Sequence, residues 1–326
     1  MKAVLCKQYG PPSSLVVEEV PELVPGAGQV LIDVHAAGVN FPDSLIIQGK
    51  YQFKPELPFS PGAEVAGIVK ALGPGVAGVQ VGERVIASTT WGGYAQQVLA
   101  QAERVFRMPE GMEFETAAGF LIAYGTSHHA LKDRGELKAG ETVLVLGASG
   151  GVGLAAVEIA KAMGARVIAA ASSDEKLAVC REHGADATIN YTTQDLRERI
   201  KALTDGRGVD VVYDPVGGAL SEPALRSMAW RGRFLVVGFA AGPIPNIPLN
   251  LTLLKGCSIV GVFWGAFVRN EPKRNEEEMR ELVTWVRAGK LRPRISGVYP
   301  LERCAEALQR VMDRQVTGKF VLTTGL

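Results

Sequence analysis

From residue 141 onward, short apolar runs alternate with amphipathic stretches. The runs at 142–146, 166–170, 187–190, 209–213, 233–237 and 258–262 have strand length, and most are rich in β-branched residues. The stretches at 152–163, 174–183, 194–204, 219–228 and 251–255 read as helices between them. Such alternation implies parallel strands joined by crossover helices, a doubly wound α/β sheet of six strands. The first third has another texture. Val30, Ile32 and Val34 alternate with Leu31 and Asp33, a period of two, and further strands are expected at 2–6, 15–20, 63–72, 84–87 and 94–98. Gly10-Pro11-Pro12 and Pro25-Gly26-Ala27-Gly28 supply turns. Residues 115–131 read as mostly helical, and a helix is expected at 275–288. The segments 293–298, 301–312 and 319–323 form a tail able to return to the first domain. The expected division is a β-rich domain over 1–123, completed by 292–326, and an α/β domain over 124–291.

The first strand of the α/β part runs into a glycine turn, TVLVLGASGGVG, from Thr142 to Gly153. A strand, a glycine turn and a helix in that order can hold a phosphate, because the first N–H groups of the helix are unpaired and carry partial positive charge. Gly150 lets the backbone approach a pyrophosphate, and Gly153 lets the helix pack close to the strand. Ser149, Gly150, Gly151, Val152 and Gly153 are therefore candidate contacts to a dinucleotide.

Net charge is +1 over 326 residues, with acids and bases spread along the chain. That leaves no electrostatic footprint for nucleic acid. Cys6, Cys180, Cys257 and Cys304 lie far apart, so no CxxC pair exists. Free thiols fit a reducing compartment. The opening MKAVLCKQYG has too short an apolar run for an export signal. The longest uncharged run, 234–254, is broken by Gly242, Pro243, Pro245 and Pro248. A cytoplasmic protein without a membrane span is expected. His128 and His129 are adjacent on an expected helix and point in different directions, while His35 and His183 stand apart. All four are read as packed or surface histidines, and no metal is expected.

Several stretches together resemble a known family: AAGVNFPDSL (36–45), PGAEVAGIV (61–69), GASGGVGLAAV (147–157), ASSDEKL (171–177), GADATINY (184–191) and VVYDPVGG (211–218). The chain resembles the zinc-independent medium-chain dehydrogenase/reductase superfamily, in its NADPH:quinone oxidoreductase-like branch. The resemblance implies a GroES-like N-terminal domain, a Rossmann NADPH-binding domain and an active site in the cleft between them. It also shows where this chain departs. Ala148 replaces the first glycine of the superfamily's GxGxxG pattern. Asn40 and Ala63 stand where zinc alcohol dehydrogenases place a Cys and a His, and no cysteine lies between Cys6 and Cys180. The family's catalytic zinc site cannot be assembled from these residues. Leu45 replaces a tyrosine common in the branch.

NAD enzymes of this fold carry an acid at the end of the second strand. Here the position is Ala171, followed by Ser172 and Ser173. That leaves room for the extra phosphate of NADPH. The resemblance assigns the grip on the 2′-phosphate to Ser172, Lys176 and Tyr191. Asp174 and Glu175 are read as acids at a helix N-terminus. The resemblance also suggests a cofactor contact at Thr126. Gly238 and Phe239 end the fifth strand, and Phe263, Trp264 and Gly265 follow the sixth. Backbone there could meet nicotinamide and ribose, or the two aromatic residues could simply pack.

Without a Lewis acid, an electron-poor small molecule such as a quinone or an α,β-unsaturated carbonyl is the expected hydride acceptor. Asn40 and Tyr51 are the candidate catalytic donors to its oxygen, although Asn40 could instead cap the turn before Phe41-Pro42-Asp43 and Tyr51 could anchor a loop. Two alternatives remain. An enoyl-thioester reductase could use the basic residues Arg269, Lys273 and Arg274. A non-catalytic NADPH-binding sensor would share the cofactor motifs. The strand at 258–263 should be a sheet edge, and a homodimer is expected through it.

Overall fold

The computed structural model describes residues 1–326. The chain divides into two compact units, Met1–Ile122 with Pro293–Leu326, and Ala123–Arg292. No helix is long and apolar enough to cross a membrane.

The second unit holds the expected six-stranded sheet. Its strands lie in the order Ala187–Asn190, Arg166–Ala171, Thr142–Leu146, Val209–Asp214, Met228–Val236, Ser258–Gly261. All neighbours are parallel. Numbered along this unit, that is the order 3-2-1-4-5-6 of a dinucleotide-binding sheet. Thr142–Leu146 is buried at every position, as a central strand covered on both faces must be. The direction of winding reverses between it and Val209–Asp214, and there the glycine turn enters the helix Gly151–Ala162.

The first unit is a mostly antiparallel seven-stranded sheet with a separate hairpin, Lys2–Leu5 against Val16–Glu19. Gln29–Val39 is its spine, pairing antiparallel with Glu64–Leu72, Gln97–Gln101 and Lys319–Thr323. The tail thus completes this sheet, and Ile295–Pro300 adds parallel to Lys319–Thr323 at one edge.

Four expectations shift. The strand marked by the alternation of Val30, Ile32 and Val34 spans Gln29–Val39, so Asn40 sits where strand becomes the helix Phe41–Ile46. The strand expected at 94–98 is Gln97–Gln101, and Tyr94 lies before it. The helical stretch at 115–131 breaks after Gly119 into Phe114–Ala118 and Leu121–His128, which continues as a π-helical turn, His129–Arg134. Trp264–Asn270, unforeseen, is a helix. Phe263 precedes it without a side-chain cap, so no start signal marks it in the sequence.

Candidate active site

In the α/β unit, the candidate residues gather at the carboxyl ends of the strands. Gly150 is the N-cap of Gly151–Ala162, and no side chain caps that helix. A Cβ on Gly153 would collide with the Gly147 carbonyl, so this glycine is required by helix-strand packing. A Cβ on Gly150 would meet the Gly147 oxygen only at 3.6 Å, ordinary contact. Packing within the chain therefore does not demand glycine at 150, whereas an anion seated on the open N–H groups would. Ala148 is wholly buried, and its N–H donates to Ala170 O at 3.0 Å. Ser149 is buried beside it. Ser127, which sequence reading passed over, donates to Val152 O at 2.8 Å and shares a hydrogen bond with Tyr213 at 2.9 Å. It ties the helix carrying half-buried Thr126 to the first turn after the glycines.

Ser172 and Lys176 meet just past the second strand, and Tyr191 follows the third. Lys176 Nζ donates to Ser172 Oγ at 3.1 Å. Ser173 caps the helix Asp174–Glu182 by accepting from Lys176 N, and Tyr191 N donates to Ala171 O at 3.2 Å. Thr192 Oγ1 also donates to Ser172 O at 3.1 Å. Of the two nearby acids, Asp174 accepts from Asn190 Nδ2 at 3.0 Å. Glu175 is held below the usual carboxylate range by the Ser173 hydroxyl and its own backbone N–H, as a helix-start acid should be.

At the fourth strand, buried Asp214 accepts from Val216 N and Gly217 N, both at 2.8 Å, and from Ser221 Oγ at 2.6 Å. It shapes the loop that follows. Gly238 stands against the Pro215 carbonyl, and the Phe239 ring lies over Gly217. Phe263 is exposed. The Trp264 ring is buried against Gly125, where a Cβ would lie 2.8 Å from it, and its Nε1 has no hydrogen-bond partner within the chain. This contact anchors the start of the helix containing Gly265. In the basic stretch, Arg274 is taken up by Asp133 and Glu271.

In the β-rich unit, Asn40 is buried in an ionic cluster. Its Nδ2 donates to Glu64 Oε1 at 2.9 Å and to Gly38 O at 3.4 Å. Its Oδ1 accepts from Lys319 Nζ at 2.6 Å. Lys319 also donates to Glu64 Oε1 at 2.7 Å, and Glu64 Oε2 accepts from Ile122 N at 2.9 Å. Both amide hydrogens of Asn40 thus have partners within the chain. Tyr51 is half-buried, packed at a tilt on Phe53, and its hydroxyl makes no hydrogen bond within the chain. Burial, and then the nearby Asp43 charge, raise its pKa.

Sequence reading also missed Asp43. Its Oδ2 accepts from Asn40 N and Tyr94 OH, both at 2.8 Å. Burial pushes this carboxyl up to about 7, against the pull of those two donors and Lys319. The cysteines are buried and unpaired, and burial pushes Cys180 and Cys304 up to about 12, far from thiolates.

Comparison with known proteins agrees with this architecture. A family profile described as alcohol dehydrogenase GroES-like domain matches residues 26–110, and one described as zinc-binding dehydrogenase matches 151–287. A quinone oxidoreductase-like protein 2 homolog of Nematostella vectensis is 41% identical, over 99% of this chain and 89% of its own. Two solved structures, each complexed with NADPH, superpose over 99% of this chain and 100% of theirs. One is Escherichia coli quinone oxidoreductase, with a TM-score of 0.94 and 29% identity. The other is a mycobacterial protein, with a TM-score of 0.93 and 33% identity. The chain belongs to the medium-chain dehydrogenase/reductase superfamily, in its quinone oxidoreductase-like branch.

Proposed function

We infer that this chain is an NADPH-dependent reductase that delivers hydride to a quinone or an α,β-unsaturated carbonyl compound without zinc. The observation that carries the reading is the pairing of an uncapped glycine turn with Ser172 and Lys176 beside Ala171. That end of the sheet offers a cation and a hydroxyl where an NAD site would offer an acid. Ser149, Gly150, Gly151, Val152 and Gly153 would receive the pyrophosphate, and Ser172, Lys176 and Tyr191 the 2′-phosphate. Thr126, Gly238, Phe239, Phe263 and Gly265 would border the remainder. Bound NADPH supplies the hydride.

The zinc-free reading rests on the donor set around Asn40. An ammonium, a carboxylate and an amide fill that buried position, with no thiol or imidazole among them. Tyr51 would donate to the oxygen of the acceptor, and Asn40 would act as a positioning residue. A second copy of the chain would pair along the edge strand Ser258–Gly261, beside which Trp230, Leu253, Leu254 and Ile259 are exposed. Buried free thiols fit the cytoplasm.

The test follows NADPH oxidation by absorbance with a panel of quinones, enones and enoyl thioesters. Turnover of quinones or enones supports the reading. Preference for enoyl thioesters would favour the carrier-linked alternative, and tight NADPH binding with no turnover would favour a sensor.

A further inference from the structure

The π-helical turn His129–Arg134 and the long helix Pro272–Arg287 bring three metal-ligand side chains together within the α/β unit. His129 Nδ1 lies 3.0 Å from Asp133 Oδ2. The ligand atoms of His129, Asp133 and Glu278 all lie within 4.8 Å of one another. His129 and Glu278 are each more than nine-tenths buried. The His129 ring is stacked on Phe267, centroids 4.0 Å apart, which fixes its orientation.

The polar atoms that meet there lack partners. Neither His129 Nδ1 nor Glu278 Oε2 makes a hydrogen bond, although Asp133 Oδ2 lies 3.0 Å from the first and His128 Nδ1 3.2 Å from the second. Atoms that approach this closely without hydrogen-bond geometry have lone pairs in need of a shared positive centre. Two atoms that bind one ion at about 2.0–2.2 Å stand roughly 3–3.6 Å apart, close to the 3.0 Å between His129 Nδ1 and Asp133 Oδ2. Asn275 Oδ1 is a further buried, unpartnered oxygen, one turn before Glu278 on the same helix face. Native interiors rarely leave such atoms bare.

The surroundings hold the carboxylate of Asp133 in place. Arg274 pairs with Asp133 Oδ1, which leaves Oδ2 toward His129 and orients the carboxylate as an outer partner does. One imidazole nitrogen with two carboxylates is a borderline donor set, suited to zinc and its neighbours rather than to magnesium or a soft monovalent ion.

We propose that His129, Asp133 and Glu278 bind one divalent transition-metal ion of the zinc class, which braces the π-helical turn against the helix Pro272–Arg287. The site shares no residue with the Asn40 cluster. π-Helical insertions are frequent at functional sites, and a ligand here gives this one a purpose.

The probe is zinc chloride, added to chelator-treated full-length protein and followed by equilibrium dialysis with elemental analysis. Cobalt is substituted for its visible ligand-field spectrum, and magnesium serves as the control. One zinc per chain is expected, with a cobalt spectrum of nitrogen and oxygen coordination. His129→Gln, Asp133→Asn and Glu278→Gln should each weaken binding at least about tenfold, since outer-shell changes alone cost roughly 10–100-fold. Circular dichroism and NADPH titration report folding. If His129→Gln fails to fold, the two isosteric carboxamides carry the test. The proposal is overturned by no stoichiometric binding at micromolar zinc, or by unchanged affinity in the folded variants. Nitrogen NMR showing both histidines doubly protonated at pH 7, bridging the carboxylates with protons, would overturn it too.

Discussion

The ammonium of Lys319 donates to the Asn40 amide oxygen at 2.6 Å across 279 positions of chain, and the same ammonium pairs with Glu64 at 2.7 Å. Both partners of the ion pair are buried, with side-chain exposures of 8% and 1%. A buried pair adds little against an apolar substitute, but removing one partner strands the other. Lys319→Met should therefore destabilise the protein by about 3–5 kcal/mol. Urea denaturation measures it; a loss below about 1 kcal/mol would mean that water reaches Glu64 and screens it.

Cofactor choice is tested at Ser172 and Lys176. Changing both to Ala removes a charge-assisted contact worth roughly 1.5–3 kcal/mol, about ten- to a hundredfold in affinity. NADPH should weaken by that factor while NADH barely changes. Fluorescence titration of both cofactors decides, and equal losses would move the 2′-phosphate elsewhere.

Asp43 gives a pH signature. Its folded pKa is raised to about 7 by burial, with Asn40 N, Tyr94, Lys319 and Glu64 around it. Between the unfolded value and pH 7 the native state holds the extra proton, so stability falls as pH rises through that window. The stabilising contribution is fully present below about pH 4 and lost above about pH 7, at no more than about 1.4 kcal/mol per pH unit. Asp43→Asn should flatten the decline. Chemical denaturation of both proteins at pH 5, 6 and 7 checks it, and parallel curves would place the titration on another group.

The edge strand is tested by charge. Ile259 is 40% exposed on Ser258–Gly261. Ile259→Lys should turn a dimer into monomers by light scattering at micromolar concentration, with the fold intact by circular dichroism. A wild-type monomer, or a variant dimer, would count against pairing there.

How much of this was legible depends on how local each feature is. The glycine turn and its helix could be read because they are one strand-turn-helix segment whose glycines answer to backbone geometry. Ser172 and Lys176 are one helical turn apart and could be read together. The Asn40 cluster could not: Glu64 and Lys319 reach it only through pairing of three strands, Gln29–Val39 with Glu64–Leu72 on one side and Lys319–Thr323 on the other. Its amide therefore looked free in the sequence and is committed in the fold. His129 and Glu278 meet only when Pro272–Arg287 packs against the π-helical turn, so spacing showed two unremarkable histidines. Trp264 looked like a residue past a strand end because helix Trp264–Asn270 has no capping signal, and its burial on Gly125 is a tertiary contact.

The chemical step separates Tyr51 from Asn40. If the unbonded Tyr51 hydroxyl stabilises charge on the oxygen of the acceptor, Tyr51→Phe removes that donor and little else. Loss of a preorganised donor costs about 10²–10³ in rate at well-studied oxyanion sites. A quinone needs less polarisation, so a smaller slowing, about tenfold or more, is expected with NADPH affinity unchanged. Asn40→Ala should behave differently. It releases Glu64 and Lys319 from a buried network, so stability and rate should fall together. Single-turnover reactions with deuterated NADPH read the hydride step, and urea denaturation reads stability. If Tyr51→Phe keeps the full rate while the isotope effect shows hydride transfer is being observed, the phenol only shapes the pocket, and the acceleration comes from holding donor and acceptor together.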